Sequence, residues 1–121
     1  MKRSVEAGRF LPLTPAVFQV LLALSDEERH GYAIMQEVEV RSGGSVRLGP
    51  GTLYGTLKRL LPDGLVEESD ERPDPELDDE RRRYYRLTHL GREVAVAEAE
   101  RLQKLVADAR SKALLRRPRT T

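Results

Sequence analysis

Leu48-Gly49-Pro50-Gly51-Thr52-Leu53-Tyr54-Gly55-Thr56-Leu57-Lys58-Arg59-Leu60 reads as one helix with two very unlike faces. Gly49 stands at the N-cap and Pro50 at the first helical position, where a missing N–H costs nothing. Leu53, Leu57, Leu60 and Leu61 recur at i, i+4, i+7 and i+8 and define one buried stripe. A turn of ~100° per residue sends Gly51, Thr52, Gly55, Lys58 and Arg59 to the other side, with Tyr54 on the shoulder. Glycine inside a helix costs roughly 1 kcal/mol relative to alanine, so two of them on an outward face need a reason. Close approach of the backbone to a large partner supplies one, with a hydroxyl, a phenol and two cations set around it. Major-groove DNA has the matching chemistry: phosphates and guanine edges for the cations, thymine for the Thr methyl, and clearance from the glycines.

The flanking segments give this helix its setting. Leu13-Thr14-Pro15 opens a first helix, with Thr14 as N-cap, Pro15 at N1, and Leu13 and Phe18 spaced as a hydrophobic staple. That helix is apolar nearly all round, from Ala16, Val17 and Phe18 to Leu24, so it belongs at the centre or beneath a dimer partner. Ser25 to Arg29 is a charged turn. A second helix runs from His30 or Gly31 to Arg41, buries Ile34, Met35 and Val38, and ends at Gly43-Gly44. Ser45 to Leu48 is a short extended link into the third helix, which closes near Pro62-Asp63-Gly64.

Leu65-Val66-Glu67-Glu68 and Arg83-Tyr84-Tyr85-Arg86-Leu87 read as two strands of a hairpin. The loop between them, Asp70 to Arg81, is polar and carries Pro73 and Pro75. Thr88 caps a long fourth helix reaching to Leu115, with Glu100/Lys104 and Asp108/Lys112 as favourable i,i+4 pairs. Three helices, a hairpin and a long helix make a mainly α winged helix-turn-helix with a small β-hairpin and a C-terminal dimerisation helix. The expected divisions are a flexible N-terminal arm over residues 1–11, the winged unit over 12–87, the dimerisation helix over 88–115 and a basic tail over 116–121. So small a core leaves one face of the last helix uncovered, and twofold pairing of two copies covers it economically. Phe18, Leu90, Val94, Leu102, Leu105, Val106 and Ala109 are the expected dimer contacts.

Bulk properties narrow the function class. With 121 residues, 39% hydrophobic content and only 5% aromatic, the chain is one domain with a thin aliphatic core. It has no cysteine, which excludes disulfides, thiolate metal sites and cysteine nucleophiles. No apolar run reaches membrane-spanning length and no signal-peptide core is present, so the expected setting is soluble and cytoplasmic, with no membrane partner. Net charge is only +1, but the charges are segregated. From Val40 to Pro62 there are Arg41, Arg47, Lys58 and Arg59 and no acid, whereas Asp63 to Glu80 is strongly acidic with Arg72 alone opposed. Arg81, Arg82, Arg83, Arg86 and Arg92 follow without an acid until Glu93. Exposed charges are screened beyond ~8 Å, so local balance governs contact more than the total does.

Read in order, Leu13-Thr14, His30-Gly31-Tyr32-Ala33-Ile34, Pro50-Gly51-Thr52-Leu53-Tyr54, Leu57-Lys58-Arg59-Leu60, Gly64-Leu65-Val66, Arg83-Tyr84-Tyr85-Arg86-Leu87-Thr88 and Gly91-Arg92 resemble the PadR family of transcriptional regulators, in its short subgroup with a single C-terminal helix. The resemblance spans Leu11 to Leu105. It implies a homodimeric double-stranded-DNA-binding regulator, usually a repressor, acting on inverted-repeat operators often built from ATGT and ACAT half-sites. It also implies release by a small-molecule effector or another signal. On this reading Pro50, Gly51, Thr52, Tyr54, Gly55, Lys58 and Arg59 form the recognition surface, Gly31 and Tyr32 meet a phosphate, and Arg81, Arg82 and Arg83 are the wing's cations. The chain departs from the family in having Gly49 where serine is frequent, and in a long acidic wing loop where a compact basic one is common.

Blander readings compete at several positions. His30 and His89 lack metal-ligand spacing partners, so His30 reads as a structural residue at a helix start, and no metal or cofactor is implied. Tyr84 and Tyr85 point to opposite sheet faces, one to the core and one outward. The arginine run is either a solvated strand edge countering the acidic loop or a phosphate contact. No phosphate-binding loop or nucleophile–base pair is present, so no enzyme is expected. The rival from another class is a winged-helix module that binds protein without sequence-specific DNA binding. It requires an apolar outward face on the third helix, which Gly51, Thr52, Gly55, Lys58 and Arg59 do not supply.

Overall fold

The computed structural model describes residues 5–69 and 83–116. Element order is α1 (Val5–Gly8), α2 (Pro15–Ala23), β1 (Arg29–His30), α3 (Gly31–Arg41), α4 (Pro50–Asp63), β2 (Val66–Glu68), β3 (Tyr84–Leu87) and α5 (His89–Ser111). The three strands form one antiparallel sheet in the order β1-β3-β2. Together these elements are a winged helix followed by a long C-terminal helix. No helix among the described residues is long and apolar enough to cross a membrane.

Local chemistry sets most helix ends. The Val17 N–H donates to Thr14 Oγ1 at 3.2 Å, and Pro15 occupies the first turn of α2. At α3 the cap is His30, whose Nδ1 accepts the Ala33 N–H at 3.1 Å. Its ring also meets Tyr84 edge-on at 5.4 Å, so His30 joins helix start to sheet. Gly49 begins α4 without a side-chain cap, and Gly64 ends it in the left-handed region at φ 79°, where glycine carries no Cβ penalty. Thr88 caps α5 by accepting the Gly91 N–H at 2.9 Å, and its own hydroxyl donates to the Gly64 carbonyl. One threonine thereby ties the end of α4 to the start of α5. Gly91 is required there, because a Cβ at this position would run into the Leu65 carbonyl.

The core gathers Val20 and Leu21 of α2, Ile34 and Val38 of α3, Leu53, Leu57 and Leu60 of α4, Leu65, Val66 and Tyr85 of the sheet region, and Val94 of α5. Of the two strand tyrosines, Tyr85 is the core residue and Tyr84 the partly exposed one.

Several boundaries differ from the sequence expectation. Within the stretch expected as a flexible arm, Val5–Gly8 form a one-turn helix packed on α5, with Ala7 wholly buried. Arg29 belongs to strand β1 and not to a turn, because Arg29 and His30 pair with Tyr85 and Tyr84. The last helix stops at Ser111, four residues short of Leu115, and Ala113 takes a positive φ. The acidic loop from Asp70, with Arg81 and Arg82, and the tail from residue 117 lie outside the described residues.

Candidate nucleic-acid interface

α4 presents the two faces its sequence dictates. Leu53, Leu57 and Leu60 are buried, as is Thr56, whose hydroxyl donates to the Thr52 carbonyl at 2.7 Å. Pro50, Gly51, Thr52, Gly55, Lys58 and Arg59 are all exposed. Neither Lys58 nor Arg59 makes an ion pair with a described residue, whereas Arg47 is engaged by Glu39 at 2.7 Å and Arg41 by Glu37 at 2.8 Å. Among the described residues, the two cations of this outward face are therefore free to meet an external anion.

The helical glycines divide by purpose. A Cβ on Gly51 or Gly55 would meet nothing within 4 Å, so the protomer's own packing does not ask for glycine at either place. Gly31 is the opposite case. It is buried, and a Cβ there would clash with the ring and hydroxyl of Tyr54. Tyr54 is accordingly half-buried against α3, where it braces α4. Its neighbour Tyr32 is 58% exposed at the first turn of α3, where helix N–H groups point outward.

On the wing, Arg86 pairs with its cross-strand neighbour Glu67 at 2.9 Å, and Arg83 with Glu68 at 3.0 Å. Arg83 thus already has a carboxylate beside it. A half-open groove of about 400 Å³ separates α4 from the wing, lined by Tyr54, Leu57, Leu61 and Tyr85 with Lys58, Arg83 and Glu68.

The expected dimer contacts split in two. Val94 is wholly buried in the protomer's own core and offers nothing to a partner, a correction to its reading as an interface residue. Leu105 and Val106 are 50% and 40% exposed, Leu102 and Ala109 are partly exposed on the same half of α5, and Phe18 and Leu90 are half-buried. Sequence patterning also passed over Glu98, which is buried on α5 and accepts the Leu13 N–H at 3.2 Å. Arg101 donates to both of its oxygens, at 2.9 Å to Oε2. That hydrogen bond is the largest influence holding the Glu98 carboxyl below its ordinary value; the Leu13 N–H and the Arg101 charge add to it, while burial opposes them. The i,i+3 spacing of Glu98 and Arg101 was the available signal.

The profile of the Transcriptional regulator PadR-like family matches residues 20–97. The transcriptional regulator Rv3488 of Mycobacterium tuberculosis is 37% identical over 89 residues, covering 74% of this chain and 77% of that one. An uncharacterized 37.1 kDa protein in transposon TN4556 of Streptomyces fradiae is 43% identical over 86 residues, 71% of this chain. The match spans only 22% of that longer protein. A PadR family transcription regulator from hypervirulent Clostridium difficile R20291 superposes with a TM-score of 0.66 at 21% identity, covering 83% of this chain and 99% of the other. This last likeness speaks for the fold.

Proposed function

The chain belongs to the PadR-like family of DNA-binding transcriptional regulators, which are not enzymes, and from that premise we propose that it works as a homodimeric repressor on an inverted-repeat operator. The observation that carries this reading is the outward face of α4, where two glycines stand over open space beside Lys58 and Arg59. A helix that spends roughly 1 kcal/mol per glycine without a packing return is shaped for something outside the protomer.

In this reading α4 enters the major groove. Pro50, Gly51 and Gly55 let the backbone approach, Thr52 meets base edges, and Lys58 and Arg59 take phosphate or guanine. Tyr54 holds the helix at its angle through Gly31, and the first turn of α3, with Tyr32, receives a backbone phosphate. Arg83, with Arg81 and Arg82, approaches the neighbouring backbone from the wing. Leu102, Leu105, Val106 and Ala109 pair two copies, so that two recognition helices address half-sites in adjacent turns of one face of the duplex. Repression follows from occupancy of that site, and a small-molecule effector or another signal would act by lowering it.

Selection of bound fragments from random duplex DNA by the purified protein tests the reading. An enriched inverted repeat, with retention that falls steeply as salt rises, is the expected result. Recovery of unenriched DNA, or of a lone half-site bound by one copy, would overturn it.

A further inference from the structure

Ala97 and Glu98 are the last buried residues of α5; from Gln103 to Asp108 every residue is exposed. At this point the long helix leaves the body of the protomer. Glu98, only 2% exposed, is also where the body is fastened to it. Its Oε2 accepts the N–H of Leu13, the residue directly before the Thr14 cap of α2, while Arg101 grips the same carboxylate from the next turn. One side chain therefore bonds the entry of the winged unit's first long helix to the root of the projecting arm. Hydrogen bonds to an ionised carboxylate are about twice as strong as neutral ones and strongly directional. Of this pair only Glu98 is buried, and a buried charge is seldom the most stabilising filling for such a site, since apolar replacements of similar volume are often neutral or better. What it supplies over an apolar residue is a fixed geometry.

We propose that Glu98 is a positioning residue that determines operator specificity, by fixing the angle between the winged unit and α5 and hence the half-site separation that the dimer accepts. The proposal rests on the dimeric, inverted-repeat reading above. The lever is long enough to matter. With the arm beyond Glu98 held by the partner, a tilt at the root swings the winged unit about Glu98. A rotation of about 10° moves a point ~20 Å from that pivot, within the span of a unit this size, by roughly 3.5 Å, close to the ~3.4 Å step between base pairs.

The test uses the full chain and duplexes carrying the selected half-sites, with the gap between them changed one base pair at a time, plus a duplex with a single half-site. The wild type should prefer one gap by about tenfold over its neighbours, the scale of one lost specific contact set. Glu98→Met, which keeps volume but cannot accept the Leu13 N–H, should bind all gaps within about threefold of one another, with single-half-site affinity and sedimentation as a dimer unchanged. A folded, dimeric Glu98→Met that retains the wild-type preference would overturn the proposal. So would an equal loss at every gap and on the single half-site, which would make Glu98 a structural residue only. Should Glu98→Met fail to fold, Glu98→Gln decides: it keeps an acceptor for Leu13 but weakens the Arg101 grip, and must narrow the gap preference by about threefold, an unchanged preference again overturning the idea. If the wild type binds the single half-site as well as the pair, the inverted-repeat reading itself fails, and this proposal falls with it.

Discussion

The ring and hydroxyl of Tyr54 rest on Gly31, so that a Cβ added to Gly31 would lie within 3.0 Å of three Tyr54 atoms. This contact seats α4 against the start of α3, and it explains why a glycine stands at a helix N-terminus where its φ does not require one. Gly31→Ala should therefore cost about 1–3 kcal/mol, the usual penalty for overpacking a filled site. Urea midpoints for Gly31→Ala, Tyr54→Leu and the double variant would check it. The double variant should be more stable than the sum of the two losses implies, because both changes act on one contact. Strict additivity would show that the contact does not carry the cost.

Gly55 is the converse case, a helical glycine with open space where its side chain would be. Gly55→Leu should raise stability by roughly 0.5–1 kcal/mol, leucine being the better helix former. If α4 enters the major groove as proposed, the change should also abolish operator binding, because the new side chain fills the gap between helix and groove. Near-normal affinity in a folded Gly55→Leu protein would remove α4 from the groove.

How much of this was legible beforehand depended on how local the cause was. The starts of α2 and α5 are written in Thr14-Pro15 and Thr88, whose side chains cap within three residues, and the glycine at the end of α4 is equally local. β1 is two residues long and exists only through pairing with Tyr84 and Tyr85, far along the chain, so no periodicity announces it. Ala7 carries too little apolar surface to signal burial, yet α1 packs it against α5. Val94 and Leu105 share a helical stripe, and periodicity marks both as apolar without saying whose surface covers them; the protomer covers Val94 and leaves Leu105 half exposed. Gly31 is legible as a helix start, but its packing against Tyr54 is not, because sequence spacing does not bring the Tyr54 ring above it.

Lys58 stands on the outward face with no described ion-pair partner. If it meets a phosphate, Lys58→Ala should weaken binding to specific and random duplexes alike and shallow the log–log salt dependence by about one unit. Affinities measured from low to moderate salt would report the slope. An unchanged slope would make Lys58 a solvated side chain.

Glu98 also makes the fold sensitive to acid. Its folded-state carboxyl is held below the ordinary value of 4.5, first by the Arg101 hydrogen bond. A depressed carboxyl contributes stability that is fully present above the unfolded value and is lost as pH falls through the folded one. Glu98→Gln should accordingly be less stable than the wild type near neutrality, with the difference shrinking below pH ~4.5 as the wild-type carboxylate takes up its proton. Thermal midpoints of both proteins across that range would show it. A difference that stayed constant with pH would assign the loss to packing and not to charge.

Leu105 and Val106 are exposed on the part of α5 that has left the protomer body, so changing them should not disturb the winged unit. Glutamate at both positions keeps good helix propensity, which separates interface from fold. If two copies pair through this stretch as proposed, Leu105→Glu with Val106→Glu should leave the thermal unfolding of the winged unit nearly intact but yield monomers, because two like charges would be buried without partners on each copy. A monomer reads a single half-site, so affinity for the selected inverted repeat should fall much further than affinity for random duplex, bringing the two towards each other. Sedimentation and binding measured on the same preparation give both readings. A stable dimer in the double variant would move the interface away from this stretch of α5, to Phe18 and the partly exposed side of α2.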